Sequence, residues 1–224
     1  MKKFFTENQI EAFVFDMDGV VLDSESVYEK AWRVIAEKMH VSDIDSVHEK
    51  CLGLSAQDVF KLMAEKYGDD FDGKLFWKLT SDWSMEYMNE SGVPEKKGAR
   101  EILEFLKSEK IPVALATSSG KSFAGKLLEK ANLTQYFDLM IFGDEVSRAK
   151  PDPEIYKTSC RKLGLAPEKC MAVEDSPNGI KSAVSAGLKA VMVPDRIPPD
   201  DDIKKLAWKI SESLMSLKKI MEEQ

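Results

Sequence analysis

The sequence predicts an α/β protein: a doubly wound parallel sheet with an α-helical cap domain inserted after its first strand. Two observations carry that expectation. Five short apolar runs, each closed by polar or turn residues, alternate with stretches of helical periodicity over most of the chain. One block, residues 24–92, breaks the alternation with helical patterns alone. Strands that alternate with helices imply βαβ units, and so a parallel sheet covered on both faces. With 224 residues, 43% of them hydrophobic, the chain can bury such a core and a smaller companion domain.

The first strand is read at "IEAFVF" (10–15), and two carboxylates, Asp16 and Asp18, stand where it ends. Three helical stretches follow, "SESVYEKAWRVIAEKMH", "SAQDVFKLMAEKYG" and "FDGKLFWKLTSDWSMEYMNES", joined by short turns with Gly and Asp. "GVPEKKG" (92–98) returns the chain to the core, giving an expected core of 1–22 and 93–224 and a cap of 23–92. "GAREILEFLKSEK" (98–110) has apolar residues at helical spacing and leads into the strand "IPVALA" (111–116). "LMIF" (139–142) is the third strand. "PEIYKTSCRKLGL" (153–165) reads as a helix ending at Gly164 in the manner of a C-cap, before the strand "CMAV" (170–173). "SPNGIKSAVSAGL" (176–188) opens on a Ser-Pro cap pair and ends at Gly187, ahead of "KAVMV" (189–193). The tail "DDIKKLAWKISESLMSLKKI" puts Ile203, Leu206, Ile210, Leu214 and Leu217 on one face, which predicts a helix packed on the core.

Composition excludes several functions. A formal net charge of −7 argues against a general nucleic-acid or anionic-membrane surface. Cys51, Cys160 and Cys170 lack CxxC spacing and read as reduced thiols. His40 and His48 alone give little material for a zinc site or a Ser/His/Asp triad. The apolar run near the start is broken at once by polar residues, and no stretch approaches the ~20 apolar residues that span a bilayer. A cytoplasmic location is the expectation.

The residues with chemical capacity gather past the strand ends, where open α/β sheets bind ligands. Asp16 and Asp18 follow the first strand, Thr117-Ser118-Ser119 the second and Lys150 the third; Glu174 and Asp175 follow the fourth. Each alone has a structural explanation: an Asp-Gly turn, a capping hydroxyl, a loop lysine, acids at a helix N-terminus. Four such explanations would have to coincide in order at four strand ends, so the joint reading prevails. Carboxylates, a lysine and small hydroxyls are what holds a hard divalent cation and a phosphate together. Asp16, Asp175 and Glu174 are candidates for Mg²⁺, which would offset the repulsion of clustered carboxylates. Thr117, Ser118 and nearby backbone N–H groups, aided by the following helix N-terminus, suit phosphate oxygens. Lys150 supplies a positive charge to phosphate and nucleophile alike.

These motifs resemble those of the haloacid dehalogenase-like hydrolases, in order and over nearly the whole chain: "DMDGVVLDS", "VALATSS", "KPDPEIY" and "VEDSPNGI". The resemblance implies a Rossmann-like core and a Mg²⁺-dependent phosphatase of the helical-cap branch that includes β-phosphoglucomutase and phosphosugar phosphatases. It implies that Asp16 is the nucleophile and Asp18 the proton donor and later the base. Metal ligation would fall to Asp16, the Asp18 carbonyl and Asp175, with Glu174 assisting directly or through water. Lys150, Thr117 and Ser118 would hold the transferring phosphoryl group. A proton donor at Asp18 argues against dehalogenation, since a departing halide needs none.

The cap is expected to choose the substrate. "EKCLGLSAQDVF" (49–60) is similar to a β-phosphoglucomutase stretch in which an arginine follows the serine, but here Ala56 and then Gln57 follow it. A histidine typical of those mutases is matched by Tyr28. Without that cationic grip, phosphate release from a sugar or polyol phosphate is the expected reaction, with the mutase as the alternative. A non-catalytic phosphometabolite-binding protein is the alternative of another class. Receiver-type phosphoacceptor modules fit poorly, since they are about half this length and lack a cap. The expected partner is a small phosphorylated metabolite, neither nucleic acid nor membrane, and the expected state is a monomer. "LDSES" and "GVPEKKG" read as paired hinges.

Overall fold

The computed structural model describes residues 2–52 and 56–223, with the backbone alone at Ala56. The chain divides into two compact units, Met1–Leu22 with Glu95–Gln224, and Asp23–Pro94.

The first unit begins with a short helix α1 (Lys3–Glu7) whose Phe4 and Phe5 are buried. Strand β1 (Ala12–Phe15) follows and is wholly buried. The chain leaves for the second unit, whose described residues form four helices: α2 (Ser24–Lys38), α3 (Ile44–Cys51), α4 (Ala56–Tyr67) and α5 (Gly73–Ser91). Back in the first unit come α6 (Ala99–Ser108), β2 (Val113–Ala116), α7 (Lys121–Lys130) and β3 (Leu139–Ile141). Next are α8 (Glu154–Leu163), β4 (Cys170–Glu174), α9 (Pro177–Ser185) and β5 (Lys189–Met192). The chain ends with α10 (Asp201–Leu206), β6 (Lys209–Ile210) and α11 (Leu214–Glu223).

All six strands are parallel, in the order β3-β2-β1-β4-β5-β6. This is the doubly wound, Rossmann-like order, in which the winding reverses beside β1 and leaves a crevice at the strand C-termini. Side chains alternate across a strand. Ala12 and Val14 of β1 thus share a buried cluster with Ala114, Ala116, Cys170, Ala172, Ala190 and Met192, covered by Ile155, Tyr156 and Cys160 of α8 and Ile180 and Ala183 of α9. The opposite parity puts Phe13 and Phe15 on the other face, where Phe13 meets Phe5 and Phe5 stacks on Phe105 of α6. The small residues on the first face let α8 and α9 lie close to the sheet. That closeness matters for the site.

The tail corrects the sequence expectation. It is not one helix: α10 stops at Leu206, and Trp208 and Ser211 donate their N–H groups to Ala190 and Met192 of β5 (both 2.8 Å). The unpaired edge of β5 offers a ladder, and a sixth strand takes it in place of helical hydrogen bonds. Ile203, Leu214 and Leu217 are buried, whereas Leu206 is among the exposed apolar residues.

In the second unit a core of Trp32, Ile35, Ile44, Val47, Cys51, Val59, Met63 and Phe76 joins all four helices. Asp72 caps α5 by accepting from the Leu75 N–H at 2.9 Å. Trp83 and Tyr87 stack at 5.1 Å, with the Lys30 ammonium 4.2 Å from the Tyr87 ring centre. α3 was not anticipated from the sequence. Tyr28 lies half-buried on α2 and Gln57 exposed on α4, while Gly53, Leu54, Ser55 and the Ala56 side chain lie outside the described residues. Cys51, Cys160 and Cys170 are buried free thiols. Among the described residues no helix is long and apolar enough to cross a membrane.

Candidate active site

Strand parity decides what reaches the site. Asp16 continues the alternation of Ala12 and Val14, and its N–H extends the ladder to the Val173 carbonyl (3.0 Å). Glu174 continues Cys170 and Ala172. Both side chains therefore point to the face covered by α8 and α9. Past Asp16 the chain turns tightly: the Met17 carbonyl accepts from Val21 and Leu22 (2.8 and 2.9 Å), and the Gly19 N–H donates to Leu22 (2.9 Å). Gly19 sits at φ +79°, and a methyl on it would lie 2.3 Å from Asp175 Oδ2. Glycine here lets the turn adopt a left-handed bend and lets a carboxylate come against the backbone.

Lys150 joins these acids. Its Nζ donates to Asp16 Oδ1 (2.5 Å), Glu174 Oε1 (2.6 Å) and the Ala116 carbonyl (2.9 Å), with the side chain 7% exposed. The loop that carries it is fixed by Glu154, which accepts from the N–H groups of Ser147 and Arg148 (3.0 and 2.9 Å). Glu174 is fully buried and saturated. Oε1 also accepts from the Tyr156 hydroxyl (2.7 Å), and Oε2 accepts from the Ser176 hydroxyl and the Asp175 N–H (both 3.2 Å). Gly179 makes room for this carboxylate, since a methyl there would stand 1.9 Å from Glu174 Cδ.

The hydroxyl strip divides its contacts among three residues. Thr117 is buried; its Oγ1 accepts from the Ser119 N–H (3.0 Å) and lies 3.5 Å from Asp18 Oδ2. Ser119 donates to Asp18 Oδ2 (2.9 Å), while Ser118 is exposed. The helix N-terminus expected to help bind phosphate is also engaged, because the first N–H of α7, at Lys121, donates to the Asp144 carboxylate (3.0 and 3.1 Å). Sequence reasoning passed over Tyr156, and it named Ser119 among the strand-end hydroxyls without giving it a role. Both lie inside the quoted motifs, but neither residue type announces a role by itself.

Asp16, Glu174 and Asp175 each offer a carboxylate oxygen, and the three oxygens lie within 4.8 Å of one another. Burial raises the Asp16 carboxyl to about 7; Lys150 pulls it down, and Glu174 and Asp18 push it up. Burial, Glu174 and Asp16 raise Asp175 to about 9, against Lys150. Burial disfavours the Lys150 charge, but Asp16 and Glu174 outweigh it and hold the ammonium above its ordinary value. Hard oxygen donors that converge with more negative charge than the facing lysine balances fit a divalent cation such as Mg²⁺. With Glu174 saturated, Asp16 and Asp175 are the side chains best placed to reach it.

A family model described as haloacid dehalogenase-like hydrolase matches residues 13–193, from β1 to the end of β5. The chain belongs to that family. This hydrolase is 36% identical over 182 residues to the phosphorylated carbohydrates phosphatase of Thermotoga maritima, with 81% of this chain and 84% of that one covered. It is 29% identical over 190 residues to the β-phosphoglucomutase of Bacillus subtilis, covering 82% and 83%. Among solved structures, a Thermotoga maritima protein provisionally described as a β-phosphoglucomutase superposes with a TM-score of 0.82. It is 32% identical, with 96% of this chain and 99% of that chain covered. The hydrolase thus shares family and fold with enzymes named for both reactions, and its site chemistry must separate them.

Proposed function

We propose that this hydrolase releases phosphate from a small phosphorylated sugar or polyol through an aspartyl-phosphate on Asp16. The observation that carries the reading is the contrast between two neighbouring carboxylates. Asp16 is buried and held by Lys150, whereas Asp18 is partly exposed and held by Ser119 and beside Thr117. Such unlike environments suit two carboxyls of unlike role. An Asp16 oxygen attacks phosphorus as the bond to the alcohol oxygen breaks, and the Asp18 carboxyl gives its proton to that oxygen. Asp18, now ionised, takes a proton from water as the water oxygen attacks phosphorus. The bond to Asp16 then breaks and inorganic phosphate leaves. Lys150 faces the charge gathering on the phosphoryl oxygens, and Thr117 and Ser118 border it. Mg²⁺ held by Asp16, the Asp18 carbonyl and Asp175 would neutralise the phosphoryl charge. Glu174 acts through Lys150 and the Asp175 N–H.

Ala56 and Tyr28, standing where mutases of the family carry an arginine and a histidine, favour hydrolysis over retention of a bisphosphate. The likeness to the Bacillus subtilis mutase keeps isomerisation as the second reading. The test is phosphate release, with and without Mg²⁺, across phosphorylated sugars and polyols, with glucose 6-phosphate formation from β-glucose 1-phosphate followed in parallel. Release confined to a few compounds, lost by at least roughly a thousandfold in Asp16→Asn, is expected. Isomerisation with little release would assign a mutase, and tight binding with neither reaction would assign a binding protein.

A further inference from the structure

The acidic end of the sheet holds one more carboxylate that the mechanism above leaves unused. Val193, just past β5, donates its N–H to the Glu174 carbonyl at 2.7 Å, and Asp195 stands two residues beyond, beside the end of β4. Its Oδ1 accepts from Lys96 Nζ at 2.6 Å, with the Asp195 side chain 11% exposed. Its Oδ2 is buried and finds no hydrogen-bond donor among the described residues. A buried carboxylate oxygen with no donor is costly, so in a native fold it asks for an explanation. Gly19 places that oxygen beside the site. A methyl on Gly19 would lie 2.3 Å from Asp175 Oδ2 and 3.4 Å from Asp195 Oδ2, so both oxygens lie against the turn after Asp18. Lys96 is itself tied to this turn, since its N–H donates to the Val21 carbonyl at 3.0 Å.

We propose that Asp195 is a positioning residue of the divalent-cation site, its Oδ2 accepting a hydrogen bond from a water on the cation that Asp16 and Asp175 hold. Lys96 fixes the carboxylate for that task. The inference rests on the metal-dependent reading above. Mg²⁺ keeps several waters, each a donor that needs an acceptor beyond the ligands. Groups that orient ligands in this way typically change metal affinity roughly 10–100-fold when altered.

Calorimetric titration of Mg²⁺ into the substrate-free chain tests it, with wild type, Asp195→Asn, Asp195→Ala and Asp175→Asn compared. In Asp195→Asn the amide oxygen stays on Lys96, which turns the –NH₂ toward the site and sets donor against donor. Both Asp195 variants are expected to bind Mg²⁺ roughly 10–100-fold more weakly. Their apparent Mg²⁺ constant in turnover should rise in step, while kcat at saturating Mg²⁺ stays within a few-fold of wild type. The melting temperature of Asp195→Asn in chelator should hold or rise, which a merely structural role would not give. Wild-type Mg²⁺ affinity in Asp195→Asn overturns the proposal. If Asp175→Asn also binds Mg²⁺ like wild type, or wild type binds none, the metal-site reading falls and this one with it.

Discussion

Tyr156 donates to Glu174 from the first turn of α8, and Glu174 in turn holds Lys150 against Asp16. Removing that hydroxyl leaves a buried carboxylate short of a donor, so Tyr156→Phe should lower stability by about 1–3 kcal/mol. Turnover should fall with it, with less effect on KM, since Lys150 loses a fixed partner rather than the substrate a contact. Thermal melts with steady-state kinetics read both; a variant as stable and active as wild type would remove Tyr156 from the site. Gly179→Ala presses on the same carboxylate from the other side, because the added methyl would stand 2.0 Å from Oε2. It should cost about 1–3 kcal/mol, as overpacking does. Asp16, Asp18, Lys150, Glu174 and Asp175 were legible in the sequence because their chemistry is uncommon at strand ends in that order. Tyr156 and Asp195 were not, nor was the bond from Ser119 to Asp18, because these roles come from a helix face, an ion pair to Lys96 and a loop geometry, which no local pattern encodes.

At the scale of elements, α9 is held by its first residues. Ser176 accepts from the Gly179 N–H at 3.0 Å, and Pro177 occupies the first turn, where its missing N–H costs nothing. The same hydroxyl also reaches Glu174 at 3.2 Å, so cap and site share one side chain. Ser176→Ala should therefore destabilise by about 0.5–2 kcal/mol and lower turnover as well. Urea unfolding should show an earlier midpoint at unchanged slope; a changed slope would mean a looser native or unfolded state rather than a lost cap. Strands β1 to β5 were visible because each is an apolar run with its own turn signals. β6 was not: two residues, Lys209 and Ile210, become a strand only because β5 offers an edge. Ile210 fitted the helical spacing of Ile203, Leu206, Leu214 and Leu217 equally well, and tertiary pairing overrode it. Helix α3, eight residues long, is likewise too short to declare a period of its own.

Across the whole molecule, parallel strands bring carboxylates from separate parts of the chain to one edge of the sheet, and the folded state bears their repulsion. Asp16 and Asp175 hold their protons more tightly folded, near 7 and 9, than at the ordinary value of 3.8. Unfolding therefore releases protons, and the contribution of this pair to stability is full below about 4 and declines as pH rises through 7 and then 9. In chelator, the melting temperature should fall between pH 5 and pH 9. The net charge of −7 adds a decline of the same sign, so Asp175→Asn is the needed comparison. That variant should lose the slope above pH 7 and about half of it between pH 4 and pH 7, where both carboxyls contribute in wild type. Mg²⁺ inverts the relation, because binding requires ionised carboxylates and so strengthens with pH. The stabilisation by a fixed Mg²⁺ concentration, read as the rise in melting temperature over chelator, should grow from pH 5 to pH 9 in wild type and vanish in Asp175→Asn. A rise in melting temperature with pH in chelator would reverse the sign of this linkage. The acidic edge would then be stabilised by its lysines alone, without need of a cation.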